Sequence, residues 1–187
     1  MNPDAAAVRA FVALDLEARV REAAAELVER LRPDVRGARW ARPETLHLTL
    51  RFLGPATPAQ LERLSPALAA AAAQCPVSTA AVAGLGTFPE SGRPRVLWLG
   101  LDLPTPILAL QQACDRAAEE AGFTPSDRPF RPHLTLARFR ERAPRPRLPP
   151  ANLGESRLDT VVLYRSDLRP QGAVHTPLVA CALRGRG

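Results

Sequence analysis

Two nine-residue segments of the chain have almost the same sequence, RPETLHLTL at residues 42–50 and RPFRPHLTL at residues 128–136. Each segment is Arg-Pro, three further residues and then His-Leu-Thr-Leu, so His47 and His133 occupy matching positions. They are two of only three histidines in the chain. Because the unperturbed pKa of histidine is about 6.5, one imidazole can donate a proton near neutral pH while another accepts one. A pair of histidines at one site could therefore act as acid and base in a phosphoryl transfer.

Leucine alternates with polar residues in both segments, which is the pattern of a half-buried strand. We expect His47 and Thr49 on one face with leucines behind them, and His133 and Thr135 repeat this arrangement. In-line displacement at phosphorus places the attacking and leaving oxygens on opposite sides, where one histidine accepts a proton and the other donates one. Threonine hydroxyls can donate hydrogen bonds to the remaining phosphate oxygens. Facing strands would form a phosphate site; the alternative is a structural duplication without activity.

Composition and charge restrict the possible chemistry. The net charge is +6 and all 25 basic residues are arginine, an excess that suits phosphate binding but that a GC-rich coding bias would also produce. A chain without lysine has no P-loop lysine, Schiff base or lysyl-nucleotide intermediate. Carboxylates and cysteines do not cluster at ligand spacing near either histidine, so we expect no metal and no other cofactor.

The cysteines and the N-terminal sequence indicate where the protein works. Cys75, Cys114 and Cys181 are odd in number and lack a Cys-x-x-Cys pair, which fits a reducing cytoplasm. The N-terminus contains Asp4 and lacks the pattern of a signal peptide. No apolar run reaches membrane-spanning length. We expect a cytoplasmic protein that does not bind membranes and, because nothing in the sequence indicates an obligate oligomer, a monomer.

Helical and strand patterns alternate along the chain in groups. Helices are predicted at 17–31, 58–74 and 105–121, and strands at 9–14, 77–85, 95–101, 158–164 and 174–183, in addition to the two histidine strands. The proline- and arginine-rich residues 143–150 are expected to form a surface connection. These patterns predict an α+β protein of two similar lobes, with residues 1–187 as a single bilobal domain.

The whole chain resembles the bacterial RNA 2′,3′-cyclic phosphodiesterases, also called the 2′-5′ RNA ligase family, of the two-histidine phosphoesterase superfamily. The resemblance is carried by residues 9–15, 46–54, 95–100 and 129–138. It implies a bilobal, pseudo-symmetric fold with an antiparallel sheet flanked by helices in each lobe and the histidine strands facing a central cleft. It also implies metal-independent hydrolysis of RNA 2′,3′-cyclic phosphate ends, or of nucleoside 2′,3′-cyclic phosphates, to 2′-phosphomonoesters, with a reversible, ATP-independent 2′-5′ ligation.

The resemblance also implies roles for individual residues. His47 matches the general acid for the departing O3′, and His133 matches the general base for water. Thr49 and Thr135 match phosphate-binding threonines, and Arg138 matches a phosphate-contacting arginine. An offset of five from His133 would put Arg138 on the opposite face of a regular strand, so a bulge or the strand end must redirect it.

Further site candidates follow from position alone. Arg51, at an offset of four from His47, is expected to share its face, and Arg131 is a further phosphate-binding candidate. His175 stands where relatives often have tyrosine, and we expect a structural or rim role for it. Some aromatic residues could stack a base, although core packing is the default for each: Phe11, Trp98, Phe130 and Tyr164.

The alternative functions are a phosphodiesterase for another cyclic or 2′-5′-linked nucleotide, and a non-catalytic RNA- or nucleotide-binding module.

Overall fold

The structure is a computed structural model that describes residues 7–140, 143–169 and 172–185. Asp4 and both ends of the expected 1–187 domain lie outside the described residues. The described residues form three helices and nine strands, with a short 3₁₀ helix at Pro43–Thr45. In chain order these are β1 (Val8–Asp15), α1 (Ala18–Leu31), β2 (Ala38–Trp40), β3 (His47–Ala56), α2 (Pro58–Gln74), β4 (Ser78–Phe88), β5 (Val96–Asp102), α3 (Thr105–Glu120), β6 (His133–Phe139), β7 (Asn152–Leu158), β8 (Thr160–Arg169) and β9 (Gly172–Ala182).

Two antiparallel sheets form the framework, which confirms the predicted α+β class. The first sheet has the strand order β3-β1-β8-β9, and the second has the order β2-β6-β5-β4-β7. Each sheet takes strands from both halves of the sequence, so a lobe is not simply one half of the chain. One histidine strand, β3, is an edge strand of the first sheet, whereas the other, β6, lies inside the second sheet between β2 and β5.

The helices begin and end where the sequence predicts and cover the sheets. Helix α1 packs on β7 of the second sheet, and α2 and α3 pack on strands of the first. At the start of α2 the Thr57 hydroxyl accepts a hydrogen bond from the Gln60 backbone N–H, and the Gln60 side chain accepts one from the Thr57 N–H. After α3, Gly122 has a φ of +91°, a conformation that glycine adopts without strain and that ends the helix.

The leucines of the histidine strands lie in the core. Leu48, Leu134 and Leu136 have no exposed surface, and Leu50 is also buried. Truncating such a residue to alanine typically costs about 2–5 kcal/mol of stability. Burial of the leucines therefore holds the histidines and threonines on the opposite face, as the alternating pattern predicts.

Two strands differ from the sequence prediction. The short edge strand β2 was not predicted, and the predicted strand 158–164 is divided between the end of β7 and the first part of β8. The polar sequence NLGESRL of β7 contains no alternation that would have revealed it. Residues 143–150 form no regular element, as expected for a connection. No helix in the described part of the chain has the length and apolar character needed to cross a membrane.

Candidate active site

Both histidine strands contain the same irregularity. In β3, Ala13 of the neighbouring strand pairs with Thr49 and Val12 pairs with Arg51, so Leu50 is an extra residue. In β6 the neighbouring residues Trp98 and Leu97 pair with Thr135 and Ala137, so Leu136 is the extra residue. Such a bulge reverses the face on which the side chains that directly follow it lie. Strand β3 contains a second register shift farther along, at Leu53. The duplication therefore includes the backbone geometry as well as the sequence.

The bulges bring the residue at an offset of five onto the histidine face. In β6 this residue is Arg138, which is exposed and shares its face with His133 and Thr135. In β3 it is Phe52, whose side chain is 64% exposed. The expected redirection of Arg138 by a bulge is thus observed. Phe52 is a cleft residue that alternation alone does not identify.

The same bulge removes Arg51 from the histidine face, so the expectation that it shares the face of His47 is wrong. Arg51 is only 4% exposed and points toward α3, where its Nη1 lies 3.5 Å from Asp115 Oδ1. Its Nη2 donates a hydrogen bond to the carbonyl of Thr124. Arg51 nevertheless lines the cleft together with Asp115 and Thr124, and its Nε has no hydrogen-bond partner in the described part of the structure. Phosphate binding by Arg51 therefore stays a prediction.

The two imidazoles are held in the same way. Nδ1 of His47 lies 2.7 Å from the carbonyl oxygen of Thr45, and Nδ1 of His133 lies 2.7 Å from that of Arg131. A carbonyl oxygen only accepts hydrogen bonds, so Nδ1 carries the hydrogen in each ring. In the neutral ring the other nitrogen, Nε2, is then the one able to take up a proton.

The ring of His47 lies in an aromatic cluster. It stacks on Phe11 with ring centroids 4.6 Å apart, and the ring of His175 meets it edge-on at 5.3 Å. Burial lowers the pKa of His47 to about 4, although the hydrogen bond to Thr45 opposes this, and the charges of His175 and His133 lower it further. His47 is therefore neutral at pH 7 in the free protein.

His133 lies in a more open environment beside the second sheet. Its ring meets Phe88 edge-on at 5.1 Å, and burial followed by the charge of Arg138 lowers its pKa, opposed by the hydrogen bond to Arg131. Arg131 lies over the ring of Phe88 at 5.6 Å, and its Nη1 lies 2.5 Å from Glu90 Oε1. Arg131 thus positions His133 through its backbone, while its guanidinium pairs with a carboxylate.

Both strands line an open cleft of about 830 Å³. Its lining contains three phenylalanines together with His133, arginines, hydroxyls and carboxylates, and the lining residues used below are Thr49, Arg51, Phe52, Asp115, Phe130, Thr135 and Arg138. His47 is not among its lining residues. The structure thus brings both threonines, His133 and Arg138 to one cleft. Arginine and hydroxyl groups are the donors that an anionic phosphate requires.

Of the other aromatic residues, Phe11 is buried under His47 and Trp98 lies flat against Gly86, where a Cβ atom would come within 2.1 Å of the indole ring. The hydroxyl of Tyr164 donates a hydrogen bond to Asp15 at 2.7 Å, and burial, followed by this contact, raises its pKa. Phe11 is thus buried, whereas Trp98 and Tyr164 are half-buried and contact other residues of the protein.

Phe130 and His175 remain nearer to the site. Phe130 packs partly against the core and also lines the cleft. His175 lies beside His47 and Phe11, and its Nδ1 is buried without a hydrogen-bond partner. Among the described residues, no group of three or more His, Cys, Asp or Glu side chains could hold a metal ion.

Comparison with known proteins identifies the family. The family model described as LigT like Phosphoesterase matches residues 14–98 and 101–175, so each matched segment contains one of the two histidine strands. The chain belongs to this family. An RNA 2′,3′-cyclic phosphodiesterase of Thermus thermophilus is 38% identical over 186 residues, covering 95% of this chain and 91% of the relative. One of Methanothermobacter thermautotrophicus is 31% identical, covering 91% and 96%.

Solved structures of LigT-type proteins share the fold. TT0787 of Thermus thermophilus superposes with a TM-score of 0.86 at 35% identity, covering 96% of this chain and all of the other. Escherichia coli LigT in complex with 3′-AMP superposes with a TM-score of 0.81 at 30% identity, covering 95% and 98%. These matches confirm the predicted family and the bilobal arrangement of antiparallel sheets.

Proposed function

We propose that this protein hydrolyses RNA 2′,3′-cyclic phosphate ends to 2′-phosphomonoesters, with His47 and His133 as the acid–base pair. The observation that carries the proposal is the matched pair of bulged strands, each with an Nδ1-anchored histidine and a threonine on one face. The family and the names of its relatives support the reaction class.

In the proposed reaction a water molecule attacks phosphorus opposite O3′. His133 takes a proton from the water as the new P–O bond forms, and His47 gives a proton to O3′ as the P–O3′ bond breaks. The phosphate remains on O2′. Thr49, Thr135 and Arg138 donate hydrogen bonds to the non-bridging oxygens, on which negative charge accumulates in the transition state.

Ligation uses the same groups with a different nucleophile. If the 5′-hydroxyl of a second RNA end takes the place of water, His133 accepts its proton, His47 protonates O3′ as the P–O3′ bond breaks, and a 2′-5′ phosphodiester forms with no need for ATP. Because no step in this scheme employs a metal ion, we expect hydrolysis and ligation to proceed in the presence of EDTA.

A mononucleotide-sized substrate is the second candidate. A crystal structure of Escherichia coli LigT, 30% identical to this chain, contains 3′-AMP, which supports a site that accepts a single nucleotide. Comparing turnover of nucleoside 2′,3′-cyclic phosphates, other cyclic or 2′-5′-linked nucleotides and RNA oligomers separates the two substrate classes. A binding module without catalysis would form no product in excess of protein.

The deciding experiment uses an oligonucleotide that ends in a 2′,3′-cyclic phosphate. We expect multiple turnovers with EDTA present and a product that retains its phosphate on the 2′-hydroxyl. A 3′-phosphate product would contradict the roles proposed for the two histidines, and dependence on an added metal ion would contradict the mechanism.

The setting of the reaction is also a proposal. We propose that residues 1–187 act as one monomeric domain in a reducing compartment such as the cytoplasm, which is supported by the three unpaired cysteines.

A further inference from the structure

We infer that Arg51 is a positioning residue that holds the two histidine strands in register across the cleft, acting through a polar network that lines the cleft beside α3. The network, called here the Arg51 network, consists of the side chains of Arg51, Gln111 and Asp115 and the carbonyl groups of Leu50 and Thr124. The inference deepens the proposed function and rests on it, since it concerns the geometry of the same reaction.

One end of the network holds the bulge of β3. Nε2 of Gln111 donates to the carbonyl of Leu50 at 3.4 Å and to Asp115 Oδ2 at 2.6 Å. Gln111 is only 6% exposed, whereas the Asp115 side chain is 28% exposed at the wall of the cleft. Because Leu50 is the extra residue of the bulge, its backbone conformation decides which face Thr49 and Phe52 occupy.

The other end holds the segment that leads to the second histidine. Arg51 Nη1 pairs with Asp115 Oδ1 at 3.5 Å, and Arg51 Nη2 donates to the carbonyl of Thr124. Residues 124–132 then run from the end of α3 to β6, where His133 begins the strand. The network therefore connects the β3 bulge with the approach to His133.

This connection matters because the two histidine strands belong to different sheets. Backbone hydrogen bonds fix β3 against β1 and β6 against its own neighbours β2 and β5. Within the described residues, strands β3 and β6 meet only through packing contacts, with no backbone ladder between them. Reacting groups must be placed within a fraction of an ångström, and a displacement of about 1 Å can lower a rate about 100-fold. Side chains that cross from one strand to the approach of the other can supply this precision.

The composition of the network favours a positional role over a stabilising one. Arg51 Nε and Asp115 Oδ1 are buried and have no hydrogen-bond partner. A buried ion pair that is incompletely satisfied contributes little net stability, and apolar residues of similar volume often replace such a pair without loss. The equivalent position in β6 is Ala137, which is buried without any charge. Strand burial at this position therefore does not require an ion pair.

The test separates positioning from stability by removing both charges together. We expect the double variant Arg51→Met with Asp115→Leu to keep the wild-type unfolding temperature or exceed it. We expect its kcat on the cyclic-phosphate oligonucleotide to fall about 10- to 100-fold with KM nearly unchanged, because binding groups remain while their alignment is lost. Arg63→Met is the matched control, since Arg63 Nη2 also holds a backbone carbonyl, that of Ala121 at 2.8 Å, outside the network.

A second readout does not depend on turnover. With three histidines in the chain, the imidazole NMR signals can be assigned, and we expect those of His47 and His133 to shift or broaden in the double variant but not in Arg63→Met. Gln111→Met breaks only the link to Leu50 and Asp115. It should move the His47 signal and lower kcat by a smaller factor than the double variant does.

The results that overturn the inference are distinct from those that overturn the proposed function. Wild-type kcat and unchanged histidine signals in the double variant would reject positioning by Arg51, as would an equal loss in Arg63→Met. If the double variant does not fold, the Gln111→Met variant decides. A wild-type His47 signal together with wild-type kcat in Gln111→Met would then reject positioning by the Arg51 network. If the wild-type protein itself shows no turnover, the proposed function fails and the histidine signals alone decide the inference.

Discussion

The two histidine strands share their backbone and differ in their chemistry. Strands β3 and β6 have the same His-Leu-Thr-Leu sequence, the same bulge and the same order of buried and exposed positions. Beyond the bulge, β3 presents the exposed Phe52 to the cleft, whereas β6 presents Arg138. The repeated backbone delivers side chains to equivalent places, and substitution at one position makes one wall aromatic and the other cationic.

The shared part of the strands leads to the largest expected effects. We predict that His47→Ala and His133→Ala each lower kcat by about 10²- to 10⁴-fold, because each removes one of two proton transfers. Steady-state turnover of a cyclic-phosphate-ended oligonucleotide measures the loss, and circular dichroism controls for folding. A large loss of kcat in only one of the two variants would show that the two strands are not equivalent in catalysis.

The unshared position should separate charge from shape. We predict that Arg138→Ala lowers kcat/KM about 100-fold, because a donor to the phosphate oxygens is lost. Phe52→Leu changes the equivalent residue of the other strand without changing charge and should leave kcat/KM nearly unaltered. Equal losses of kcat/KM in the two variants would mean that Arg138 does not act through its charge.

The deeper burial of His47 predicts a pH-dependent stability. Its pKa is about 4 in the folded protein against about 6.5 when exposed, so the unfolded chain binds more protons between these values. The neutral His47 ring therefore contributes stability at neutral pH that is lost as the pH falls. At pH 4.5 the free energy of unfolding is lower by about 2–3 kcal/mol for this reason. Urea unfolding of the wild-type protein and of His47→Gln at pH 7.5 and 4.5 measures the difference. The prediction fails if both proteins lose the same amount.

The smallest expected effect is a displacement of the pH optimum. Burial lowers the pKa of both His47 and His133, so the site that carries one proton is populated mainly below pH 6.5. His47 is the more deeply buried ring, so the mechanism uses the minor form in which this proton lies on His47, and that form has the same pH dependence as the singly protonated site. We predict a bell-shaped profile of kcat/KM, which reports the free enzyme, with its maximum below pH 6.5. A maximum above pH 7 would show that burial does not control the two rings.

Much of the architecture could be predicted because it follows from local patterns. The buried leucines mark the strand faces, Pro58 and Gly122 mark helix ends, and the duplicated motif identifies His47 and His133. Membership of the two sheets could not be predicted, because strands of one sheet come from distant parts of the chain.

The bulge explains why one site residue was placed correctly and another was not. Adjacent apolar residues Leu136 and Ala137, followed by a polar residue, break the alternation and indicate a bulge in β6. In β3 the sequence Leu50-Arg51-Phe52 hides the same irregularity, since an arginine occupies the buried position. Charge at that position suggested a ligand contact, whereas burial and a partner on α3 determined its orientation.

The anchoring of both rings through Nδ1 has a consequence for the catalytic cycle. Because the carbonyls of Thr45 and Arg131 occupy the inner nitrogen of each ring, protons enter and leave only through the nitrogen on the other side. After one proposed turnover the proton has left His47 and another has arrived on His133, so the site must be reset by exchange with solvent. This protonation state, with the proton on His133, is the one that the reverse reaction requires. Directly after hydrolysis the enzyme is therefore in the correct state to form a cyclic phosphate again.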